Sequence, residues 1–560
     1  MLSRAPVNRQ VPALSRGTRW CLLLLLAGIY LIGLAHIAVL PPFEGFDETG
    51  HYSYLRQIAL TGRWTRHGDT MSADIDAYLA AAPTASAMQA KWSYRGFFSA
   101  PVETVEAGRA AIHAPRSDHE RWQFGRIGNW QAQHPPLYYV LLAPTFHLSK
   151  NWSLAAQLLF LRALSYTLAC AGVTLALGAA FRLARARGVS AEPFVLAPVL
   201  WPLLLPMWFP EMARLGNDSL VVLLAALAWL FVARIMAAEG GWRSSLGLGL
   251  VLGLGLLTKA TFIPLAAAVS GLLAVWFWRG VSRENRHRAA INMAWMAGVA
   301  FAMAGWWYIA QFITTGSLTG STDAIHLGHA GGLWQGLRER ASLQVFGQIP
   351  WSWTNTVVWA GTWSFLVPPL RWFLPLLAAW AVIGVGAAIY LTQRGLRGIE
   401  WLAPMSAALL LGALLSYSLI LIARTGAPSP AWYLHSFLPV LWPLIAWGLA
   451  GAMGTRGLRW AMAPLLAYPP VFLALVAAMH ALFFSGCGTQ KEGMPIYDFS
   501  SAAGCAADLA RMRLNLDVLA FPDFGSALFA VGLLALLAGT GLAVGVVLRA
   551  PSLTSMQDRT

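Results

Sequence analysis

Long apolar runs separated by short polar segments are the main pattern of this 560-residue chain. A run of roughly 20 apolar residues is long enough to cross the hydrocarbon core of a membrane as a helix. The pattern predicts about twelve spans, at 19–40, 157–180, 193–210, 218–237, 245–258, 260–278, 289–311, 372–392, 402–423, 436–453, 461–484 and 525–548. One alternative stays open, because a single long broken helix would also explain 245–258 and 260–278.

Three longer segments, 41–155, 312–371 and 485–524, are too mixed in polarity to lie in the hydrocarbon. Within the first, His134–Leu148 is apolar but short, and it opens with a proline pair. Counting it as a span would place the next arginine cluster outside, so we interpret it as an interfacial helix. The predicted fold is an all-α polytopic membrane protein whose large first extracytoplasmic loop carries interfacial helices.

The composition agrees with that fold, since 57% of the residues are hydrophobic and 11% are charged. A soluble protein of this size does not need so apolar a surface. The formal net charge of +15 could suggest nucleic acid, but the basic residues recur in short clusters between apolar runs. This is the pattern of positive-inside topology. It excludes nucleic acid as a partner and predicts cytoplasmic tails at 1–18 and 549–560, flanking an integral membrane domain at 19–548.

An acidic stretch, PPFEGFDETGHYSY (Pro41–Tyr54), follows the first span directly. In a helix, Asp47 and Glu48 lie four and three residues before His51, so the three side chains can point into one small volume. Carboxylates at a membrane exit are costly unless they are paired, hydrated or used in chemistry. One interpretation is an acid–base or metal role for these residues and Glu44. The other is a solvated loop in which Asp47 caps a helix.

A second polar set, Glu211, Arg214, Asn217 and Asp218, occupies the turn between the third and fourth predicted spans. Helix capping explains one of these residues but not all of them. Lys259 is expected at an outer turn, where it would either snorkel to the interface or hold a lipid phosphate. The other polar residues expected on the outer side are His134, Arg424, Tyr433 and His435.

The sequence contains no P-loop, no GxGxxG unit, no GxSxG elbow and no paired CxxC site. ATP-driven and soluble-nucleotide enzymes are therefore unsupported. The polar clusters gather on the outer side, where nucleotide-activated substrates are scarce, so chemistry there should use an activated lipid. A carboxylate can act as general base toward a hydroxyl, and cations can stabilise a departing phosphate.

Two of the four cysteines, Cys487 and Cys505, share the third outer segment. That segment would face an oxidising compartment, so we expect a disulfide between them. Cys21 and Cys170 lie in apolar spans and are interpreted as small core residues.

The order of these motifs resembles the GT-C superfamily of membrane glycosyltransferases. The motifs are FDETGHY after the first span, HPPLYY late in the first outer loop, NDS, GLLTK, and WYLHSFLP at 432–439. The DE pair and the HPPL element resemble those of protein O-mannosyltransferases and the lipid A aminoarabinose transferase. The DExxHY form and TWSFLVPP are similar to bacterial uncharacterised membrane proteins with a PDEPxH-type stretch.

The resemblance implies an extracytoplasmic active site at the first outer loop of a multi-pass protein in the bacterial inner membrane. It also implies a polyprenyl-phosphate sugar donor, inversion at the anomeric carbon, and a glycan, lipid or protein acceptor in the cell envelope. Asp47 matches the acidic position that acts as base or orients the acceptor. Glu48 and His51 would support it or bind a divalent metal, for which further ligands are needed.

The chain departs from the family pattern at His134, where a cation often precedes PPL. A histidine is a weaker phosphate contact at neutral pH. Phosphate binding would then fall more to Lys259 and Arg424.

Two other functions stay open. A transporter or flippase of lipid-linked saccharides would carry buried charges in the middle of its spans, whereas the spans here are nearly free of Asp and Glu away from their ends. A non-catalytic cell-envelope assembly protein on the same scaffold is compatible with the sequence.

Overall fold

The computed structural model describes 14–85, 88, 90–116, 121–187, 190–237, 241–280, 283–357, 362–364, 366–396, 398–490, 497–498 and 507–550. Helices dominate these residues, and the β-structure is confined to two small two-stranded sheets.

The helices of the first half are α1 Arg16–Val39, α2 Glu48–Thr61, α3 Ala73–Ala81, α4 Tyr94–Phe98, α5 Val102–His113, α6 Leu137–Ser149, α7 Leu154–Arg187, α8 Ala191–Leu204, α9 Trp208–Ala213, α10 Asp218–Met236, α11 Gly241–Leu256 and α12 Phe262–Gly280. Those of the second half are α13 Arg283–Thr315, α14 Thr322–His329, α15 Gly332–Arg340, α16 Leu343–Gly347, α17 Ile349–Val357, α18 Leu370–Arg394, α19 Leu402–Thr425, α20 Trp442–Gly454, α21 Arg456–Ala467, α22 Pro469–Phe484, α23 Leu509–Leu519 and α24 Pro522–Arg549. Short 3-10 helices lie at Trp130–Gln133, Gly398–Trp401 and Trp432–Val440, and the strands are β1 Thr70–Ser72, β2 Phe124–Gly128, β3 Thr489–Gln490 and β4 Tyr497–Asp498.

Within the described ranges, 8 helical segments are long and apolar enough to cross a membrane. They are α1, α7, α10, α13, α18, α19, α21 together with α22, and α24. Each of them coincides with a predicted span. The predicted fold class, an all-α polytopic membrane protein, is confirmed.

The four remaining predicted spans also contain helices, and two of these helices, α8 and α20, are shorter than predicted. Pro198 and Pro202 lie inside α8, which ends at Leu204, and a 3-10 helix precedes α20. Proline removes a backbone donor and so disturbs a regular helix. Helices α11 and α12 are separate elements, as the two-span interpretation predicted.

The bundle is held by a few long helix pairs. Helix α1 packs along α24, α7 along α10, and α18 along α20. The segment between α1 and α7 adds α2 to α6 and the β1–β2 sheet, which pairs antiparallel with Thr70 opposite Gly128 and Ser72 opposite Phe124. Helix α6 packs on α2, so the HPPL element and the acidic stretch come together.

Candidate functional site

Asp47 has an unusual backbone conformation at the start of α2. Its φ is 61° and its ψ is 2°, in the left-handed region. Residues other than glycine adopt this region rarely and at an energetic cost. The side chain makes no capping hydrogen bond; instead Trp130 Nε1 donates to Asp47 Oδ1 at 2.7 Å. The helix-cap interpretation of the Asp47 carboxylate is therefore wrong.

Two glycines allow the first turn of α2 to pack closely against its surroundings. A Cβ at Gly45 would lie 2.5 Å from Arg214 Cβ, and one at Gly50 would lie 2.6 Å from Gln131 Cγ. Arg214 Nη1 also donates to the Phe46 carbonyl at 2.9 Å. Larger side chains at either glycine would push the acidic stretch away from these partners.

Glu48 is fully buried and paired with Arg162 of α7. Arg162 Nε donates to Glu48 Oε1 at 2.7 Å, and Arg162 Nη2 donates to Oε2 at 2.5 Å. The Leu215 backbone N–H donates to Oε1 at 2.8 Å, while the guanidinium also donates to the Leu40 and Pro41 carbonyls. Both carboxylate oxygens are thus occupied. The Glu48 carboxylate is therefore committed to Arg162 and is not free to act with Asp47 and His51.

Glu44 links the acidic stretch to a distant part of the chain. Its carboxylate accepts from Tyr94 Oη at 2.7 Å and from the Ser364 N–H at 2.9 Å. Its carbonyl accepts from the Trp363 N–H at 2.8 Å. Burial raises the pKa of Glu44 to about 7, against the opposing effect of these hydrogen bonds. The contacts give Glu44 a structural role.

Four buried charged residues, Glu211, Arg214, Asp218 and Lys259, form what we call the ion-pair cluster. Arg214 pairs with Glu211 Oε1, and its Nη2 donates to Asp218 Oδ2 at 2.8 Å. Lys259 Nζ donates to both oxygens of Asp218, at 2.8 and 2.9 Å, and Ser436 Oγ donates to Oδ1. The cluster brings two cations and two carboxylates into one volume, so it is charge-balanced without a ligand.

Backbone contacts hold the turn that carries Lys259. Asn217 Nδ2 donates to the Thr258 carbonyl at 3.2 Å, and the Leu137 N–H donates to the Leu257 carbonyl at 3.2 Å. The starts of α10 and α6 therefore clamp the GLLTK turn. Asn217 occupies the N-cap position of α10, but its side chain makes no capping bond.

His51 faces the ion-pair cluster from α2. Its Nδ1 lies 2.7 Å from Tyr139 Oη, and its ring stacks on His134 with centroids 5.8 Å apart and an interplanar angle of 3°. Burial lowers the pKa of His51 well below its ordinary value, and the Arg214 charge acts in the same direction. Burial also lowers the pKa of His134 to about 3. Both imidazoles are neutral at pH 7, which fits the expectation that His134 is no constitutive cation.

Aromatic rings form a wall beside Asp47. The Phe46 and Trp363 rings lie 4.4 Å apart, and Trp130 meets Trp363 edge-on at 5.9 Å. All three side chains are only partly buried. Trp130 thus both borders the wall and binds the Asp47 carboxylate, giving an amphipathic surface with a polar edge.

The electrostatics of Asp47 differ from those of the ion-pair cluster. Burial raises the pKa of Asp47, while the Arg214 guanidinium, the Trp130 hydrogen bond and the Lys259 ammonium oppose that rise. The residue as a whole is only partly buried. A carboxylate with a raised pKa, next to two fixed cations, can accept a proton from a neighbouring hydroxyl.

Three further residues that the sequence predicted for the outer side differ in their relation to this arrangement. Arg424 pairs with Asp323 of α14, and no contact in the described chain joins it to the ion-pair cluster. Tyr433 belongs to a 3-10 helix, but its side chain lies outside the described part. His435 is fully buried near Asp218, and burial lowers its pKa to about 4.

The donor set does not fit the divalent metal that the sequence left open. Within the described ranges, no group of three or more His, Cys, Asp or Glu side chains could hold a metal ion. Glu48 is committed to Arg162, and His51 Nδ1 to Tyr139. We therefore derive no chemical step through a metal.

The predicted disulfide falls partly outside the described residues. Cys487 is disulfide-bonded, whereas Cys505 lies outside them, so the pairing stays a prediction. Cys21 and Cys170 are free thiols, and Cys21 is buried, as expected for a core residue.

Four residues of the site were not singled out from the sequence: Trp130, Tyr139, Arg162 and Ser436. Arg162 carried a signal, because a lone arginine inside an apolar span is expensive without a partner. Tyr139 and Ser436 lie within the motifs HPPLYY and WYLHSFLP. Nothing in the sequence marks Trp130.

Comparison of the sequence with protein-family models gives no match, and neither does comparison with curated proteins. Among solved structures, the chain is similar to the crystal structure of ArnT from Cupriavidus metallidurans bound to undecaprenyl phosphate. The two share 13% sequence identity with a TM-score of 0.45, over 93% of this chain and 77% of that one. A likeness this distant assigns no activity, substrate or residue role to the chain.

Proposed function

We propose that the protein is a membrane glycosyltransferase of the GT-C type. It would transfer one sugar from a polyprenyl-phosphate donor to an acceptor hydroxyl on the extracytoplasmic side, with Asp47 as general base. The proposal joins the motif order of the sequence to the contacts of the candidate site.

The proposal rests on the backbone conformation and the contacts of Asp47. Its backbone is held in a costly left-handed conformation, and its carboxylate caps no helix. One oxygen is oriented by Trp130, and the residue is only partly buried. Strain of this kind persists where the surroundings enforce it, and it is frequent at active sites.

The ion-pair cluster would serve the donor phosphate. An ammonium has three N–H donors, and those of Lys259 reach the two oxygens of Asp218. A further N–H is left to bind a phosphate oxygen. Because Asp218 and Glu211 hold the cations in place before the reaction, little reorganisation would be needed as charge develops on the leaving phosphate.

The proposed step is a single displacement. The acceptor hydroxyl gives its proton to the Asp47 carboxylate while its oxygen forms a bond to the anomeric carbon. The bond from the anomeric carbon to the phosphate oxygen breaks, and the polyprenyl phosphate leaves with the electron pair. Attack opposite to the leaving group inverts the anomeric carbon. The aromatic wall of Phe46, Trp130 and Trp363 would bind the apolar face of the sugar beside Asp47.

The experiment is turnover by the purified chain in lipid nanodiscs, supplied with a panel of polyprenyl-phosphate monosaccharides and candidate acceptors. Release of polyprenyl phosphate is measured for the parent and for Asp47→Asn. This variant keeps the size of the side chain but cannot take the proton, so turnover should fall by roughly 10²–10⁴. Binding of the donor lipid should survive.

Glu44→Gln is the matched control, because it neutralises another buried carboxylate of the same stretch and should keep turnover near the parental rate. Parental turnover by Asp47→Asn would exclude Asp47 as the base. Absence of release by the parent from every donor, with the protein folded, would contradict the glycosyltransferase proposal as a whole.

A further inference from the structure

A cavity lies beside α9, between helices of the bundle. It is an apolar groove of about 430 Å³ between α1, α9, α22, α23 and α24. Of the described side chains that line it, only His36, His480 and Ser526 are polar, and none is acidic or a lysine or arginine. We call it the α1–α22–α24 groove. Its volume is within the range of small-molecule sites.

Two histidines in this groove lack partners. His36 is 8% exposed and His480 is 4% exposed, and their rings meet edge-to-face with centroids 5.7 Å apart. In the described structure, Nε2 of each ring is buried without a hydrogen-bond partner. A buried polar atom is costly when it stays unpaired. Two such unpaired atoms on side chains that line one groove indicate that a polar group of a ligand belongs beside them.

The position of the groove indicates where its ligand comes from. It is bordered by α22 and α24, which belong to the membrane-crossing segments. Ala478 of α22 and Ala530 of α24 line the groove and are exposed at the surface of the chain. A groove that opens between two such helices is reached from the lipid bilayer. His36 lies in the last turn of α1, so the polar end of the groove is near one membrane face.

The absence of formal charge in the lining restricts the ligand chemistry. An anion buried there would have no cation to pair with, which is strongly unfavourable. An ester carbonyl is uncharged and accepts a hydrogen bond, and a neutral imidazole with its proton on Nε2 can donate one. We propose that the groove binds a membrane glycerolipid, with an acyl chain along the apolar lining and its ester carbonyl at His36 and His480.

The lipid would lie against the back of the candidate site. Ala213 lines the groove, and the next residue, Arg214, belongs to the ion-pair cluster. Leu40 lines the groove as well, and its carbonyl accepts from Arg162. The proposal does not depend on sugar transfer, because it rests on the groove and its histidines alone.

The test uses the full chain in detergent with a phosphatidylglycerol that carries a diazirine in one acyl chain. Photolabelling should map to 474–484 and 525–533. Ala530→Trp fills the groove and should reduce this labelling about tenfold. Val531→Trp is the matched control, since Val531 is exposed on the same helix but does not line the groove. Equal labelling in both variants would overturn the proposal.

A second measurement tests the ester contact. His36→Leu and His480→Leu keep an apolar side chain of moderate size, and each should weaken labelling about fivefold through the loss of one hydrogen bond. Unlabelled dioleoylglycerol and phosphatidylglycerol should both compete, because both carry the ester. Undecaprenyl phosphate, which has no ester carbonyl, should not compete.

Competition by undecaprenyl phosphate alone, or full labelling in both histidine variants, would contradict the glycerolipid assignment. Thermal unfolding of each variant shows whether it is folded. Since no sugar transfer is measured, failure here leaves the proposed glycosyltransferase activity untouched.

Discussion

At the start of α2, the adjacent carboxylates Glu48 and Asp47 lie in different environments, which we call the closed side and the open side. On the closed side, Glu48 meets Arg162 and a backbone N–H and is fully buried. On the open side, Asp47 accepts a hydrogen bond from the Trp130 indole N–H, and the residue is only partly buried. The two acids are adjacent in the sequence, yet one is saturated with donors and the other is not.

The closed side has the contacts of a structural ion pair. The Arg162 guanidinium binds the Glu48 carboxylate through two nitrogens and also ties down the Leu40 and Pro41 carbonyls at the end of α1. Bidentate geometry of this kind is both strong and directional. The pair therefore fixes the point where the chain leaves the first span and turns into α2.

The open side has the contacts of a reactive group. Asp47 keeps a left-handed backbone that costs free energy, and its carboxylate keeps capacity for a further hydrogen bond. Its fixed neighbours are the cations of the ion-pair cluster. In the proposed function, the two acids take different roles because their hydrogen-bond partners differ, although both belong to the same motif.

The largest effect expected from this comparison is on stability, at the closed side. Arg162→Met leaves Glu48 buried without its cation, which typically costs about 3–5 kcal/mol. Denaturant or thermal unfolding in detergent measures the loss. Combining Arg162→Met with Glu48→Met should recover much of it, because an apolar pair leaves no uncompensated charge.

Arg109→Met is the matched control for Arg162. Arg109 pairs with Asp517, but both side chains are about half exposed, so its loss should cost about 0–1 kcal/mol. Equal destabilisation by the two arginine variants would show that Glu48 is not held by a special buried pair. The distinction between the closed and open sides would then fail.

The fold followed from sequence patterns to a large extent. Apolar run length located the eight long membrane segments, and the separation of α11 from α12 followed from the alternation of charge. The sequence overstated the length of other segments, because apolar composition does not show that Pro198 and Pro202 shorten α8. Hydropathy measures the environment of a segment rather than the continuity of its helix.

The site was less predictable from the sequence. The turns that carry Arg214, Asp218 and Lys259 were recognised, and the structure brings them together. The separate fates of Asp47 and Glu48 were not, because both fit the same helical spacing. The left-handed backbone of Asp47 and the approach of Trp130 from the end of the outer loop depend on tertiary packing. The residues next to Asp47 in the sequence do not determine these contacts.

An intermediate effect is expected at Lys259, beside the open side. Lys259→Met removes one charge-assisted contact to the donor phosphate and should weaken binding by about 1.5–3 kcal/mol, or roughly 10- to 100-fold. Asp218 would keep Arg214 and Ser436 as partners, so the chain should still fold. Equilibrium binding of a polyprenyl-phosphate sugar to the purified chain is the measurement.

Lys91→Met is the control for Lys259, since Lys91 lies in the same outer loop as Asp47 and stacks over Trp92, away from the ion-pair cluster. Its donor affinity should match that of the parent. If Lys259→Met also binds the donor as the parent does, Lys259 serves only to neutralise Asp218, and the open side has no phosphate contact there.

The smallest expected effect concerns the hydrogen bond that Trp130 donates to the Asp47 carboxylate. Trp130 Nε1 favours the ionised form of Asp47 and so opposes the rise in its pKa that burial causes. Trp130→Phe keeps an aromatic ring but removes this donor, so the pKa of Asp47 should rise further. As a base, Asp47 must be ionised, and kcat/KM should fall on the acid side as it becomes protonated. The acid limb of the pH profile should therefore move to higher pH, by about one unit, with little change at pH values above both pKa values.

Trp122→Phe is the control, because the Trp122 indole N–H has no hydrogen-bond partner in the described chain, and its acid limb should stay in place. An acid limb that does not move in Trp130→Phe would mean that the rate does not follow the ionisation of Asp47. That result would contradict the assignment of Asp47 as the general base.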